Sequence, residues 1–152
     1  MKTTDPEGYM GVFKRLDDVS DRYRLHHHED AFEGRDVWAD YLAESLFEQV
    51  ESERFRQHAR NVGDEWKEHT VSHHALATPD EVETWFSDLL SRLKTDTVYG
   101  RRFVWLEGFF EWLQNHTEYP HVYHPVWMAA ADPDAEATGT LWNYKMSNTR
   151  NK

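Results

Sequence analysis

The 40 residues from 80 to 119 contain no proline, and this uninterrupted stretch constrains the fold more than any other feature of the chain. Within it, positions 97–116 carry two apolar stripes at helical spacing. One is Tyr99, Phe103, Leu106, Phe110 and Leu113; the other is Val98, Trp105, Phe109 and Trp112. A helix apolar on nearly all sides is either the central helix of a bundle or half of an interface with a partner. Helical spacing recurs along the chain and sustained alternation of period two is absent, so the sequence predicts an all-α protein, a bundle of four to five helices.

The remaining segments follow from the same signals. Residues 9–28 are weakly amphipathic and end in His26, His27 and His28, which predicts a loose helix or a mobile arm. A second helix starts near Asp36, a suitable N-cap, with Trp38, Tyr41, Leu42, Leu46 and Val50 on its apolar side. A third covers 52–66, with Phe55, Ala59, Val62 and Trp66 on one face, although Gly63 weakens it. Thr78, Pro79 and Glu81 combine a cap, a first-turn proline and a capping box, the best start signal in the chain. The helix that follows turns Val82, Trp85, Phe86, Leu89, Leu90 and Leu93 inward. Residues 126–131 form a short apolar segment, and Asp132 and Pro133 open a last weak helix toward Met146, with the final six residues frayed. The organisation expected is an arm or weak helix over 1–35, a helical domain over 36–131, and a short helix with a basic tail over 132–152.

Composition removes several classes of function. Seventeen Lys and Arg stand against 28 Asp and Glu, a net charge of -11 with the histidines neutral. These acids are spread along the chain, as suits a protein working in concentrated salt, where repulsion is screened. There is no cysteine, which excludes disulfides, Cys-ligated zinc and thiol catalysis. No apolar run of 18 residues is present, and the first seven residues lead into no apolar segment. The expectation is a cytoplasmic protein with no membrane partner.

Against that acidic background, residues 92–102 carry four cations and one acid. Lys94, Arg101 and Arg102, the hydroxyls of Thr95, Thr97 and Tyr99, and the free N–H groups of a helix start are the groups that phosphate oxygens require. Arg54, Arg56 and Arg60 on the third helix form a second wall. The alternative is that these arginines pair with surface acids such as Glu51, Glu53 and Glu107. Ten histidines raise the question of a metal, and His69, His73 and His74 fall at i, i+4 and i+5. No His-Glu-x-x-His is present, however, so the expectation is loop histidines and a solvated tract, with no metal and no cofactor. No Gly-x-Ser-x-Gly, Walker lysine or Gly-x-Gly-x-x-Gly occurs.

Three stretches resemble the N-terminal core-binding (SAM-like) domain of tyrosine recombinases and phage integrases, with the nearest likeness to the haloarchaeal integrase-like branch. The first runs from Ser52-Glu53-Arg54-Phe55 to Trp66, similar to the opening helix of that domain. The second runs from Thr95-Asp96-Thr97-Val98-Tyr99 to Phe109-Phe110-Glu111-Trp112-Leu113, similar to the helix that ends in Phe-x-x-Trp-Leu. The third, His116 to Ala130 around Pro120 and Pro125, looks like the exit from the bundle. The likeness covers roughly 36–131 and implies a SAM-like bundle that clamps duplex DNA. Carried over by position, it implies DNA contacts by Arg54, Arg56, Arg60, Lys94, Thr95, Thr97, Arg101 and Arg102. Phe55 stands where the family often has Thr, His58 where it often has Tyr, and His124 where Asn usually precedes Pro. The catalytic half is missing: no His is followed three positions later by Arg, and Tyr144 has no partners to activate it.

The sequence therefore predicts a non-catalytic duplex-DNA-binding module. A separate recombinase catalytic subunit and self-association are the further partners. The rival is a protein-interaction module that uses Val98, Trp105, Phe109 and Trp112 as an exposed surface.

Overall fold

The computed structural model describes residues 4–47 and 51–150, the side chains of Leu46, Thr149 and Arg150 excepted. Val50 and the side chain of Leu46, assigned above to the second helix, lie outside the described residues. The protein is all-α, with no strand among the described residues. Its helices are α1 (Glu29–Phe32), α2 (Val37–Tyr41), α3 (Glu53–His69), α4 (Pro79–Leu90), α5 (Thr95–Val98), α6 (Val104–Asn115), α7 (Pro125–Ala131) and α8 (Glu136–Arg150). Two π-helical segments extend this framework: Leu42–Leu46 continues α2, and Tyr99–Phe103 joins α5 to α6. No helix among the described residues is long and apolar enough to cross a membrane.

The proline-free stretch becomes the centre of the bundle. Phe103, Leu106, Phe109, Phe110 and Leu113 are fully buried, as is Val98, while Trp105 is buried and Trp112 partly so. Both stripes are therefore covered within one chain, and α6 is the central helix. Around it, α4 packs on α7 and α8. The capping box at α4 is present in full, with Thr78 accepting from the Glu81 N–H. The Glu81 carboxylate also takes the Val71 N–H at 3.0 Å and the Ser72 hydroxyl at 2.6 Å, fastening the loop before α4 to its first turn. Asp36 caps α2 and Ser52 caps α3 through their side-chain oxygens.

Gly63 explains its place inside α3. The Trp38 indole lies directly on it, where any Cβ would overlap the ring, and Trp38 Nε1 donates to the Ala59 carbonyl at 3.0 Å. The residue that weakens the helix locally is the one that lets α2 approach α3.

The N-terminal segment, expected as an arm or weak helix, packs against the bundle. It consists of 3-10 turns at Pro6–Tyr9, Leu16–Asp18, Asp21–Tyr23 and Leu25–His28, and it buries Val19, Leu25 and Phe32 in the core. The Leu25 N–H donates to the Tyr123 hydroxyl at 3.1 Å, and Trp142 Nε1 donates to the Thr4 carbonyl at 2.8 Å. The residues behind its weak amphipathic pattern do not share one buried face: Val19 is buried, whereas Val12 and Tyr23 are exposed.

The last helix, expected from Asp132 toward Met146, runs from Glu136 to Arg150. The Glu83 carboxylate receives the Ala137 N–H at 3.0 Å and the Thr138 N–H at 2.8 Å, capping α8 from α4. Lys145 of this helix reaches inward to Glu107 at 2.7 Å. Glu107 is thus a buried residue and not a surface partner for arginine; its carboxylate also accepts from Trp127 Nε1 at 2.9 Å.

Candidate nucleic-acid interface

An open groove of about 600 Å³ lies between the start of α3 and the Tyr99–Phe103 segment. Arg54, Phe55 and His58 line it from α3, and Thr97, Arg101 and Trp105 from the opposite side. The two arginines are exposed, and neither is in an ion pair among the described residues. The floor is aromatic: Phe55 is 38% exposed and its ring lies 5.2 Å from that of Trp105. Gly100, also at the groove, has open space where a side chain would stand.

The local geometry follows from the π turn. A π segment widens the helix and shifts the residues beyond it around the axis. Here Phe103 enters the core while Gly100 and Arg101 remain at the surface. Burial, and then the Arg102 and Arg101 guanidiniums, hold His58 below the usual imidazole range. The groove's positive charge is therefore that of its arginines, with Asp96 the acid at its edge.

The other cations expected to touch DNA have different surroundings. Arg56 Nη2 donates to the Phe47 carbonyl at 2.6 Å, and the Arg56 and Arg60 guanidiniums each lie 5.1 Å from the Phe47 ring centre. Arg60 also pairs with Glu53 at 3.0 Å, the alternative weighed above for this residue. Arg102 pairs with Glu65 at 2.8 Å, is largely buried, and has no hydrogen-bond partner for its Nε. Lys94 is exposed at the N-cap position of α5 and Thr95 is the first residue of that helix. One helix-start N–H expected to face phosphate is already engaged, since Thr97 N donates to the Asp96 carboxylate at 2.8 Å. The groove thus brings together Arg54, Thr97 and Arg101, with Arg56, Arg60 and Arg102 bonded to protein groups.

The histidines mostly act as capping and packing groups. His124 Nε2 donates to the Glu107 carbonyl at 3.0 Å, which leaves Nδ1 to accept the Trp127 N–H at 3.2 Å and cap α7. His124 thus serves as the N-cap of α7, ahead of Pro125 at the first helical position. His74 Nε2 accepts the Trp38 N–H at 3.2 Å, and His121 Nε2 donates to the Ala75 carbonyl at 2.6 Å. His69 and His73 bond to the Glu81 and Arg35 carbonyls. Tyr144 packs its ring 5.1 Å from Tyr99, whose hydroxyl is pushed above its ordinary pKa by burial, Glu107 and Tyr144.

Comparisons with family models, with curated proteins and with solved structures find no match for this chain.

Proposed function

We propose that this protein is a non-catalytic duplex-DNA-binding module of the cytoplasm. It is similar in role to the SAM-like core-binding domain of a site-specific recombinase. The observation that carries this reading is the meeting of Arg54 and Arg101 across one groove, neither in an ion pair among the described residues. In a chain of net charge -11, two such arginines at one groove form a local positive site that phosphate oxygens complement. Thr97 adds a hydroxyl, which lies 3.5 Å from the Asp96 carboxylate and would turn from it to a phosphate. Strand transfer would belong to a separate catalytic subunit. The rival reading, an interaction module that uses Val98, Trp105, Phe109 and Trp112 as an exposed surface, is weakened because the first three are buried within the chain, while Trp112 is only partly buried.

The test is a titration of labelled duplex DNA over a salt series. Wild-type binding should weaken with salt, and Arg54→Glu/Arg101→Glu should abolish it at the lowest salt. Single Arg→Ala variants should each lower the slope of log K against log salt by about 0.9. Circular dichroism and the thermal midpoint should stay at wild-type values, because both side chains are exposed. Arg102→Glu is unsuitable as a binding probe, since it places an acid beside Glu65 in a largely buried site. Wild-type-like binding by the double variant, or no binding at any salt at which the protein stays folded, overturns the reading.

A further inference from the structure

The N-terminal turns hold a second arrangement that the DNA reading does not use. Asp21, His26 and His27 place one potential ligand atom each within 4.8 Å of one another. His27 Nε2 and Asp21 Oδ2 are 3.1 Å apart, and the His26 and His27 rings are 4.0 Å apart between centres. Zinc bonds to imidazole nitrogen and carboxylate oxygen at about 2.0–2.2 Å, so neighbouring ligands of a tetrahedral ion stand roughly 3.3 Å apart. The His27 and Asp21 atoms already have almost that spacing.

The backbone that carries these groups is fixed to the core. Leu25, immediately before the histidines, is 1% exposed and its N–H bonds to Tyr123. On the other side of Leu25, Arg24 Nε donates to the Val19 carbonyl at 3.2 Å, closing the chain around Asp21–Tyr23. The side chains of Asp21, His26 and His27 are exposed, so an ion could enter without opening the bundle. Two imidazoles and one carboxylate suit zinc and its first-row neighbours, with water completing the coordination, whereas magnesium and calcium prefer all-oxygen sets.

We infer that Asp21, His26 and His27 form a binding site for a divalent transition-metal ion of the zinc class. Such an ion would join the turns Asp21–Tyr23 and Leu25–His28. Because the unfolded chain does not hold the three ligands together, binding would stabilise the folded protein.

Calorimetric titration of the tag-free, chelator-treated full chain with zinc chloride tests this directly. The expected result is one tight equivalent and a rise in thermal midpoint that chelator reverses. His26→Gln/His27→Gln should weaken binding of that equivalent at least ten-fold, and Asp21→Asn should weaken it to a lesser extent. The metal-free midpoints of these variants should stay near wild type, since the substituted side chains are exposed. Replacement of zinc by cobalt should give the visible absorption of a tetrahedral site in the wild type and not in the double variant. His69→Gln/His73→Gln serves as the control for the other histidines and should leave the tight equivalent in place. If zinc binding survives loss of His26 and His27, or magnesium binds as tightly as zinc, the assignment is wrong.

Discussion

Gly63 and Gly139 both lie inside helices, yet their surroundings give the same substitution opposite signs. At Gly139 an added Cβ meets nothing within 4 Å, so Gly139→Ala should stabilise α8 by about 0.5–1 kcal/mol through helix propensity alone. At Gly63 that gain is opposed by overlap with the Trp38 indole, which its hydrogen bond to Ala59 prevents from withdrawing freely. Overpacking of a core costs about 1–3 kcal/mol, and Gly63→Ala should destabilise the protein within that range despite the better propensity. Urea unfolding followed by tryptophan fluorescence compares the two variants, and a shift of the same sign for both would contradict this account. The local sequence shows only a glycine that weakens a helix; the reason for it is a ring 25 positions earlier, beyond the reach of periodicity.

Among the elements, what was legible in the sequence and what was not divide by the distance over which each is held. The start of α4 could be read from Thr78, Pro79 and Glu81 because all parts of a capping box lie within one turn. The central helix could be read from its two stripes. The π turn within it could not, because Tyr99 and Phe103 fit a regular 3.6-residue period on either side of the widened turn. The firmness of α8 was equally hidden: its cap Glu83 is 54 residues from Ala137, and the Lys145 partner Glu107 is 38 residues away. The groove was legible in part. Local composition picked out Arg54, Thr97 and Arg101, but it could not show that Phe47 and Glu65 engage Arg56, Arg60 and Arg102. The Glu107–Lys145 pair gives a prediction on how α6 and α8 are joined. Lys145→Met leaves a buried carboxylate without its counter-charge, at a cost of about 3–5 kcal/mol. Glu107→Gln/Lys145→Met removes both charges and keeps an acceptor for Trp127, so most of that loss should be recovered. Denaturant midpoints of the two variants measure the difference, and a single Lys145→Met loss below about 1 kcal/mol would mean that the pair is effectively solvated.

For the whole molecule, the buried histidines set the response to acid. Burial pushes His74 down to about 3, with His73 and Lys67 adding to the shift. Burial likewise pushes His121 to about 4 and His124 to about 3, each against a backbone hydrogen bond that opposes it. The hydrogen bonds fit this direction: His74 Nε2 and His124 Nδ1 each accept a backbone N–H, so a proton at either nitrogen would set donor against donor. In the unfolded chain the same three imidazoles titrate near 6.5. Between that value and their folded values the unfolded state binds more protons, so stability is complete above about pH 6.5 and falls as the pH is lowered toward 4. Three protons correspond to a slope of up to about 4 kcal/mol per pH unit, against a total stability on the order of 5–15 kcal/mol for a domain of this kind. The protein should therefore unfold cooperatively near pH 4–5, before most exposed carboxylates are protonated. His74→Gln supplies a neutral acceptor for the Trp38 N–H and removes one of the three protons, so it should reduce the slope by about one third while leaving the fold intact at pH 7. Urea midpoints measured from pH 7 to pH 4.5 decide the matter. A wild-type midpoint that stays flat to pH 5 would mean that these imidazoles take up protons as readily in the folded protein as in the unfolded chain, so that His74 Nε2 and His124 Nδ1 do not accept the Trp38 and Trp127 N–H groups.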